Sequence, residues 1–311
     1  MTQFPELSTR HRGPQTFPHG VAFMDDQYLP ISEAKISVLD YGFLHSDATY
    51  DVAHVWDGAF FRLDDHLDRF FAGVDKLHMS VPYDREQVIE ILRNCVALSG
   101  LKKAYVEFIC TRGASPTFSR DPREADNRFI AFAIPFSSVA NDEQKARGLH
   151  VAVADIVRIA PASVDPTVKN YHWLDLVQGI YQAYDRGAET TILVDSRGNI
   201  AEGPGYNIFM IRDGVLATPD YGVLMGITRK TVFDICAAIG LKCEARDVSV
   251  DEFKASDEIF ITSTAGGIMP VTKVDNLPVG TGERGAVTQR LADCYWQMHE
   301  DVQYRIVIDY P

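Results

Sequence analysis

Short strand-like segments alternate with amphipathic helical segments along almost the whole chain, and this alternation most constrains the fold. KAYVEFICTRG and RFIAFAIP are rich in β-forming residues and are typical of strands. Leu67, Phe70 and Val74 fall at helical spacing, and a second helical pattern ends at Gly100. Because both halves of the chain mix helices with hairpin-like strands, the sequence predicts an α+β fold rather than a doubly wound parallel sheet.

The length of 311 residues suggests two domains. Residues 137–147, SSVANDEQKAR, are polar and show no periodicity, so this segment is the predicted linker. We therefore predict an N-terminal arm over residues 1–20, an N-terminal α/β domain over 21–136, and a C-terminal domain over 148–311. The C-terminal part alternates strand patterns such as TTILVD and DEIFITST with a helical pattern over residues 227–239.

Charge and cysteine content exclude several classes of protein. The 43 acidic and 30 basic residues give a formal net charge of -13, which disfavours nucleic-acid partners and anionic membranes. No apolar run approaches the ~18 residues of a membrane span, and the N-terminus lacks the apolar core of a signal peptide. The five cysteines include no Cys-x-x-Cys pair, so we expect free, largely buried thiols in a reducing cytoplasmic setting.

Three local patterns are compatible with a phosphate group. Gly226, Ile227 and Thr228 open a helix, where free amides and the helix dipole favour an anion. The small residues 263–267 follow a strand and would allow a ligand close to the backbone. Arg69 could clamp a phosphate through two hydrogen bonds. Each pattern also has an ordinary structural interpretation: a helix cap, a turn and a solvated helix charge.

Two further segments carry chemically useful side chains. Lys169 lies in DPTVKN, and a desolvated lysine can act as a nucleophile, although a lone lysine is usually a surface group. Glu202 lies in AEGPGYN, which lacks the third glycine of a dinucleotide-binding fingerprint, so we reject NAD binding. The histidines and aspartates near residues 45 and 65 match no zinc or calcium spacing, and we predict no metal site. Gly-x-Ser-x-Gly is absent, which argues against a hydrolase.

Taken together and in order, these segments resemble the fold-type IV pyridoxal-phosphate enzymes. The resemblance extends from about Gly20 to Met298. It rests on GFLHSDATYDV, VWDGAFFRLDDHLDRF, YVEFICTRG, DPTVKNYHWLDL, DRGAETTILVD, AEGPGYN, GITRKTVFDI and STAGGIMPVT. Among these enzymes, the chain most resembles the (R)-selective amine transaminases. It implies pyridoxal 5′-phosphate as the cofactor, a smaller N-terminal α/β domain, a larger C-terminal pseudo-barrel domain and a homodimer.

The resemblance also implies roles for individual residues. Lys169 matches the lysine that holds the cofactor as a Schiff base, and Glu202 matches the carboxylate that pairs with the pyridine nitrogen. The residues that match the phosphate-binding cup are Arg69, Ile227, Thr228 and Thr264. The residues that match the substrate pocket are His45, Tyr50, Val52, Tyr105, Glu107, Trp173 and Ala265. Arg120, on the loop TRGASPTFSRDPREAD that we expect to be mobile, matches a switching arginine that binds a substrate carboxylate; Arg123 is a rival.

The resemblance predicts a transaminase that moves an amino group from an (R)-amine or D-amino acid to a keto acid or ketone by a ping-pong mechanism. Leu174 and Tyr105 depart from the amine-transaminase pattern, which usually has glycine and phenylalanine at these positions, and bear on the substrate range. The sequence also leaves open a branched-chain or D-amino-acid aminotransferase, an aminodeoxychorismate lyase and a noncatalytic pyridoxal-phosphate-binding protein.

Overall fold

The computed structural model of the protein describes residue 17 and residues 19–311. Most of the predicted N-terminal arm, residues 1–20, therefore lies outside the described residues. The chain divides into an N-terminal unit, Met1–Phe136 with Tyr304–Pro311, and a C-terminal unit, Ser137–Gln303. Residues 304–311, which we predicted within the C-terminal domain, thus belong to the N-terminal unit.

Helices and strands are mixed in both units. The helices are α1 Tyr41–His45, α2 Leu63–Lys76, α3 Arg85–Ser99, α4 Asp142–Arg147, α5 Leu174–Asp185, α6 Ile227–Ile239, α7 Val250–Lys254 and α8 Ala286–Gln297. The strands are β1 Val21–Met24, β2 Gln27–Pro30, β3 Ala48–Trp56, β4 Ala59–Phe61, β5 Ala104–Ala114, β6 Asp126–Pro135, β7 Leu149–Val157, β8 Thr190–Val194, β9 Asn207–Arg212, β10 Val215–Thr218, β11 Cys243–Ala245, β12 Glu258–Ser263, β13 Gly267–Val274, β14 Leu277–Pro278 and β15 Arg305–Val307. The predicted α+β class is confirmed.

The N-terminal unit is built on a seven-stranded sheet with the order β15-β4-β3-β5-β6-β1-β2. Each neighbouring pair in this sheet is antiparallel. Successive side chains of a strand point to opposite faces. On β3, Asp51 points to the face covered by α2, where it binds His66 and Arg69, so Tyr50 and Val52 point to the other face.

Two amphipathic helices cover the face of this sheet to which Asp51 points. α2 buries Leu67, Phe70 and Val74, and α3 buries residues of the predicted helical stripe that ends at its C-cap, Gly100. Phe70 packs edge to face on Phe108 of β5 with ring centroids 5.1 Å apart. Full burial of a side chain of this size contributes roughly 1.5–3 kcal/mol. This helix–sheet layer is the core of the N-terminal unit.

The C-terminal unit is built on an eight-stranded mixed sheet with the order β11-β10-β9-β12-β13-β7-β8, and β14 pairs with β13. β13, β7 and β8 are parallel to one another, whereas β9, β12 and β13 are antiparallel. This arrangement brings residue 158, which follows β7, close to the turn that follows β8. A backbone hydrogen bond of 2.9 Å from the Arg158 amide to the Val194 carbonyl joins the two positions.

The predicted linker contains regular structure. Residues 142–147 form α4, and Asn141 and Gln144 close its first turn with a capping box. The expectation of a nonperiodic linker was therefore wrong for this stretch, because six residues are too few to display a helical stripe. Asn-x-x-Gln is itself a helix-start pattern and could have indicated the helix.

No helix in residues 19–311 is long and apolar enough to cross a membrane. The five cysteines are free, and Cys95, Cys110 and Cys236 are buried, which confirms the prediction for these thiols.

Candidate active site

Three segments of the C-terminal unit meet beside the start of α6. The Leu224 amide donates to Glu202 Oε2 at 2.9 Å, and Asn207 Nδ2 donates to the Leu224 carbonyl at 2.8 Å. Ser263 Oγ donates to the Gly205 carbonyl at 2.9 Å. The predicted carboxylate segment, the predicted phosphate helix and the loop after β12 are therefore neighbours.

The start of α6 has the features of an anion site. Its N-cap, Gly226, supplies no side-chain hydrogen bond to the first turn, and Ile227 and Thr228 are buried. A Cβ on Gly226 would lie 2.1 Å from Asn207 Oδ1, so the close packing of this turn requires glycine. The amides of an uncapped first turn and the dipole of a 13-residue helix favour a bound anion.

Thr264 and Ala265 lie in the turn that joins β12 to β13. The Ala265 amide donates to Ser263 Oγ at 3.2 Å, and this hydroxyl also binds the Gly205 carbonyl. The turn is thus fixed to the AEGPGYN segment through one serine. The turn that carries both predicted residues therefore lies beside Gly205.

Glu202 is a buried carboxylate with both oxygens engaged. Arg158 Nε donates to Oε1 at 3.0 Å, and the Leu224 amide donates to Oε2. Burial raises the pKa of Glu202, and the charges of Arg158 and Lys169 oppose that increase. Because the buried charge is only partly compensated, a protonated nitrogen facing this carboxylate would be stabilised.

Lys169 lies in the loop between β7 and α5 and is half-buried. Its positive charge opposes the increase in the pKa of Glu202, so the two side chains lie within electrostatic range of each other. The loop is shaped by local bonds: Asp165 Oδ1 accepts from the Thr167 amide at 2.8 Å, and Asn170 Nδ2 donates to the Val168 carbonyl at 2.9 Å.

Trp173 is the N-cap of α5 and packs against the small apolar cluster of Ala154, Leu176 and Leu193. A Cβ placed on Gly205 would lie 3.5 Å from its ring, so the tryptophan borders the AEGPGYN segment.

In the N-terminal unit, four predicted pocket residues share one face of the sheet. Tyr50 and Val52 of β3 point away from α2, and Val52 is paired with Glu107 of β5. Tyr105 Oη donates to Glu107 Oε2 at 3.0 Å, and burial raises the pKa of Tyr105. His45, at the end of α1, is exposed and contacts the ring of Tyr41.

Arg69 is not a solvated helix charge, and that ordinary interpretation was wrong. Its Nε and Nη2 atoms donate to the two oxygens of Asp51 at 2.7 and 2.8 Å, and the Asp51 side chain is fully buried. His66 Nδ1 lies 2.7 Å from Asp51 Oδ1. Burial by itself would raise the pKa of Asp51, but Arg69 and His66 outweigh this and hold the pKa below its usual range.

The two loop arginines differ in their surroundings. Arg123 is 87% exposed and is bound to Asp121. Arg120 is exposed, and we find no ion-pair partner for it among the residues that the structure describes. Tyr41 Oη donates to the Ser119 carbonyl, which ties the loop next to Arg120 to α1.

The donor set of the C-terminal unit fits pyridoxal 5′-phosphate. The first turn of α6 would hold the phosphate, the Glu202 carboxylate would face a protonated ring nitrogen, and Lys169 supplies the amine. In the described part of the chain, no cluster of three histidines, cysteines or acidic residues could hold a metal ion.

Sequence reasoning missed three charged residues that support these groups: Arg158, Asp175 and Asp51. The partner of each lies at least 15 residues away along the chain. The available signals were a charged residue within or directly after a strand pattern for Asp51 and Arg158, and an acidic residue in the first turn of a helix for Asp175.

Comparison with known proteins identifies the family. The profile described as "Amino-transferase class IV" matches residues 48–274. A branched-chain-amino-acid aminotransferase of Pseudomonas aeruginosa is 29% identical over 285 residues, which cover 90% of this chain and 92% of the relative. A D-alanine aminotransferase of Listeria monocytogenes is 28% identical over 271 residues, which cover 83% and 89%.

A solved structure of similar architecture is a T.th. branched-chain amino acid aminotransferase with pyridoxamine 5′-phosphate. It matches with a TM-score of 0.87 and 25% identity over 94% of this chain and 99% of that chain. The family match and the shared fold agree with the position of the buried Glu202 carboxylate beside the start of α6. The chain belongs to the class IV aminotransferases and is a pyridoxal-phosphate-dependent transaminase.

Proposed function

We propose that this enzyme transfers an amino group between an amino acid and a 2-oxo acid, with a branched-chain amino acid or a D-amino acid as the donor. Buried Glu202 beside the anion site of α6, with Lys169 in electrostatic range of it, carries the proposal of transamination in the C-terminal unit. The donor class is supported by relatives of both kinds that match more than four-fifths of the chain.

Each group has a distinct task in this proposal. Pyridoxal phosphate, when bound, supplies the electron sink for the charge that develops at the substrate Cα. The amine of Lys169 takes the Cα proton and returns it, as a general base and then a general acid. Glu202 keeps a positive charge on the ring nitrogen, which is electrostatic stabilisation of the transition state.

The remaining groups anchor and position the reactants. The amides at the start of α6 hold the phosphate while Lys169 is released and re-engaged. Because donor and acceptor use the same groups in turn, we propose a ping-pong sequence in which the first product leaves before the second substrate binds.

An (R)-selective amine transaminase is the second candidate. The segments HSDATYDV and YVEFICTRG, together with Trp173, favour it, because they match a pattern with one small and one large apolar pocket. A methyl group would fill the small pocket and an aryl group the large one, and steric exclusion would then select one enantiomer. Leu174, which is 77% exposed, and Tyr105 depart from that pattern.

A donor screen separates these candidates. Initial rates are measured with L-leucine, D-alanine, L-alanine and the two enantiomers of 1-phenylethylamine. The acceptor is 2-oxoglutarate for every donor, because pyruvate would give no net reaction with alanine. We expect L-leucine or D-alanine to react faster than either amine. Faster reaction of (R)-1-phenylethylamine, with no reaction of the amino acids, would replace the proposal by the second candidate.

Controls in the same screen distinguish transamination from lyase activity and from cofactor binding without turnover. Lys169→Ala prepared in parallel reports any contaminating transaminase. A holo-protein whose cofactor spectrum does not respond to any donor would be a binding protein rather than an enzyme. Release of pyruvate from aminodeoxychorismate would indicate a lyase.

We further propose that the enzyme is a homodimer, on the basis of the family resemblance. Sedimentation equilibrium would then give about twice the chain mass of 34.7 kDa. A mass equal to one chain at micromolar concentration would contradict this assembly.

A further inference from the structure

A buried arginine is shared between two carboxylates behind the cofactor site. Arg158 Nε donates to Glu202 Oε1 at 3.0 Å, and Nη1 donates to Asp175 Oδ2 at 2.7 Å. The exposed fractions of the three side chains are 11% for Arg158, 9% for Asp175 and 8% for Glu202. We call these residues the 158–175–202 triad.

Asp175 is held by more than the arginine. The Ile159 amide donates to Asp175 Oδ2 at 2.9 Å, and the Leu176 amide donates to Oδ1 at 2.8 Å. Arg158 directly follows β7, and Asp175 lies in the first turn of α5. The triad therefore joins the end of a strand, the start of a helix and the AEGPGYN segment.

The formal charges of the triad do not cancel. Two carboxylates and one guanidinium leave a net charge of about -1 in a region screened from water, where charge interactions are strong. If Arg158 bound Glu202 alone, the pair would be neutral and would offer little attraction to a protonated ring. Asp175 binds one nitrogen of the guanidinium, so the positive charge of Arg158 is shared and does not fully neutralise Glu202.

We infer that Arg158 and Asp175 are positioning residues that set the charge of Glu202: Arg158 orients the carboxylate, and Asp175 offsets the arginine so that the triad stabilises a protonated pyridine nitrogen. This inference rests on the proposed role of Glu202. It goes further in assigning the net charge of the site to Asp175, a residue at the start of α5.

The test measures the pKa of the ring nitrogen directly. Pyridoxamine 5′-phosphate labelled with ¹⁵N in the ring is bound to the full-length protein, and the ¹⁵N chemical shift is followed against pH. Pyridoxamine phosphate is used because it binds without a covalent bond to lysine. The measurement is independent of turnover and of the identity of the donor.

Asp175→Asn keeps the shape of the side chain and removes one negative charge. We expect it to lower the pKa of the bound ring nitrogen by about one unit, the size of effect that a single nearby charge has on a partly buried group. Adding Arg158→Gln to Asp175→Asn restores the net charge of about -1. We expect the double variant to return the ring-nitrogen pKa to within about half a unit of its wild-type value.

A merely structural role would give a different pattern. Loss of packing would lower the pKa in the double variant at least as far as in Asp175→Asn, and that result would overturn the inference. An unchanged pKa in Asp175→Asn would overturn it as well. Should Asp175→Asn fail to fold, the double variant still decides, because the inference requires its pKa to lie near that of the wild type and well above that of Glu202→Gln.

Arg186→Gln is the matched control. Arg186 also joins α5 to β7, because it binds Asp155 and donates to the Val153 carbonyl at 2.9 Å, but it does not contact the triad. We expect it to leave the ring-nitrogen pKa unchanged. If Glu202→Gln also leaves the pKa unchanged, the placement of Glu202 and the inference fail together. Failure of the amino-acid donors alone would remove only the proposed substrate class.

Discussion

At the scale of single residues, the burial of its partner determines how much an arginine contributes to the free energy of unfolding. Arg69 and Arg85 lie on neighbouring helices, and both bind aspartates. Asp51, the partner of Arg69, is fully buried, whereas the partners of Arg85 are 68% and 70% exposed. A buried carboxylate that loses its cation is costly, while an exposed one is solvated by water.

We therefore expect Arg69→Ala to lower the free energy of unfolding by roughly 3–5 kcal/mol, because Asp51 would lose its cationic partner while burial lowers the pKa of the neighbouring His66. Arg85→Ala is the matched control and should cost about 1 kcal/mol or less. Urea unfolding at neutral pH, with and without cofactor, measures both. Equal costs for the two variants would show that the Arg69–Asp51 pair is no more important than a surface pair.

Arg120 is exposed, and we predict that it binds a substrate carboxylate. We expect Arg120→Ala to raise KM for pyruvate severalfold, since it would remove one charge-assisted hydrogen bond to a carboxylate. The half-reaction with an amine that lacks a carboxylate should keep its rate. Single-turnover and steady-state kinetics separate the two halves.

Arg123→Ala serves as the comparison, because Arg123 is already bound to Asp121. If Arg123→Ala raises KM for pyruvate and Arg120→Ala does not, Arg123 is the carboxylate-binding residue. An equal effect of Arg120→Ala on both half-reactions would exclude the switch.

At the scale of secondary-structure elements, Glu189 fastens α4 to the mixed sheet. Its carboxylate accepts bonds from Gln144 and Arg147 of α4 and from the His150 amide of β7. The hydrogen bonds from Arg147 are the main cause that lowers the pKa of Glu189 from 4.5 to about 2. These hydrogen bonds hold α4 against the mixed sheet.

The pH dependence follows from the direction of this shift. A carboxylate with a lowered pKa in the folded state stabilises the fold above the pKa of the unfolded chain, and this contribution disappears as the pH falls through the folded pKa. We expect Glu189→Gln to cost on the order of 1 kcal/mol above pH ~5, since the site is partly solvated. The difference from wild type should shrink between pH ~4.5 and ~2.

Urea unfolding at several pH values tests this expectation. Glu143→Gln is the control. Glu143 lies on the same helix, but it is 81% exposed and comes no closer than 3.5 Å to Arg147. A cost of Glu189→Gln that does not change with pH would mean that the carboxylate contributes through shape and not through charge.

At the scale of the whole molecule, periodic helices and strands were predictable from the sequence, and pairings between strands far apart in the chain were not. The stripes of α2 and α3 and the strand patterns of β5 and β6 depend on local alternation, which the sequence displays directly. β15 has three residues and joins the N-terminal sheet by pairing with β4, more than 240 positions earlier. No local pattern specifies such a partner.

The candidate site divides in the same way. Lys169, Glu202 and the start of α6 could be proposed from the sequence, because together their segments resemble those of a known family. Arg158 and Asp175 could not, because their roles depend on a contact between a strand end and a helix start. The buried partner of Arg69 was missed for the same reason.

The central claim is that Lys169 carries the cofactor beside Glu202 in the C-terminal unit. Borohydride reduction of the holo-protein, followed by proteolysis and mass spectrometry, tests it most directly, because reduction fixes the cofactor on the lysine that holds it. Lys230→Ala, which removes the lysine nearest the start of α6 in sequence, controls for a nearby amine. We expect the pyridoxyl group on Lys169 in the wild type and in Lys230→Ala, and on no peptide of Lys169→Ala. A pyridoxyl group on another lysine, with Lys169 unmodified, would contradict the account.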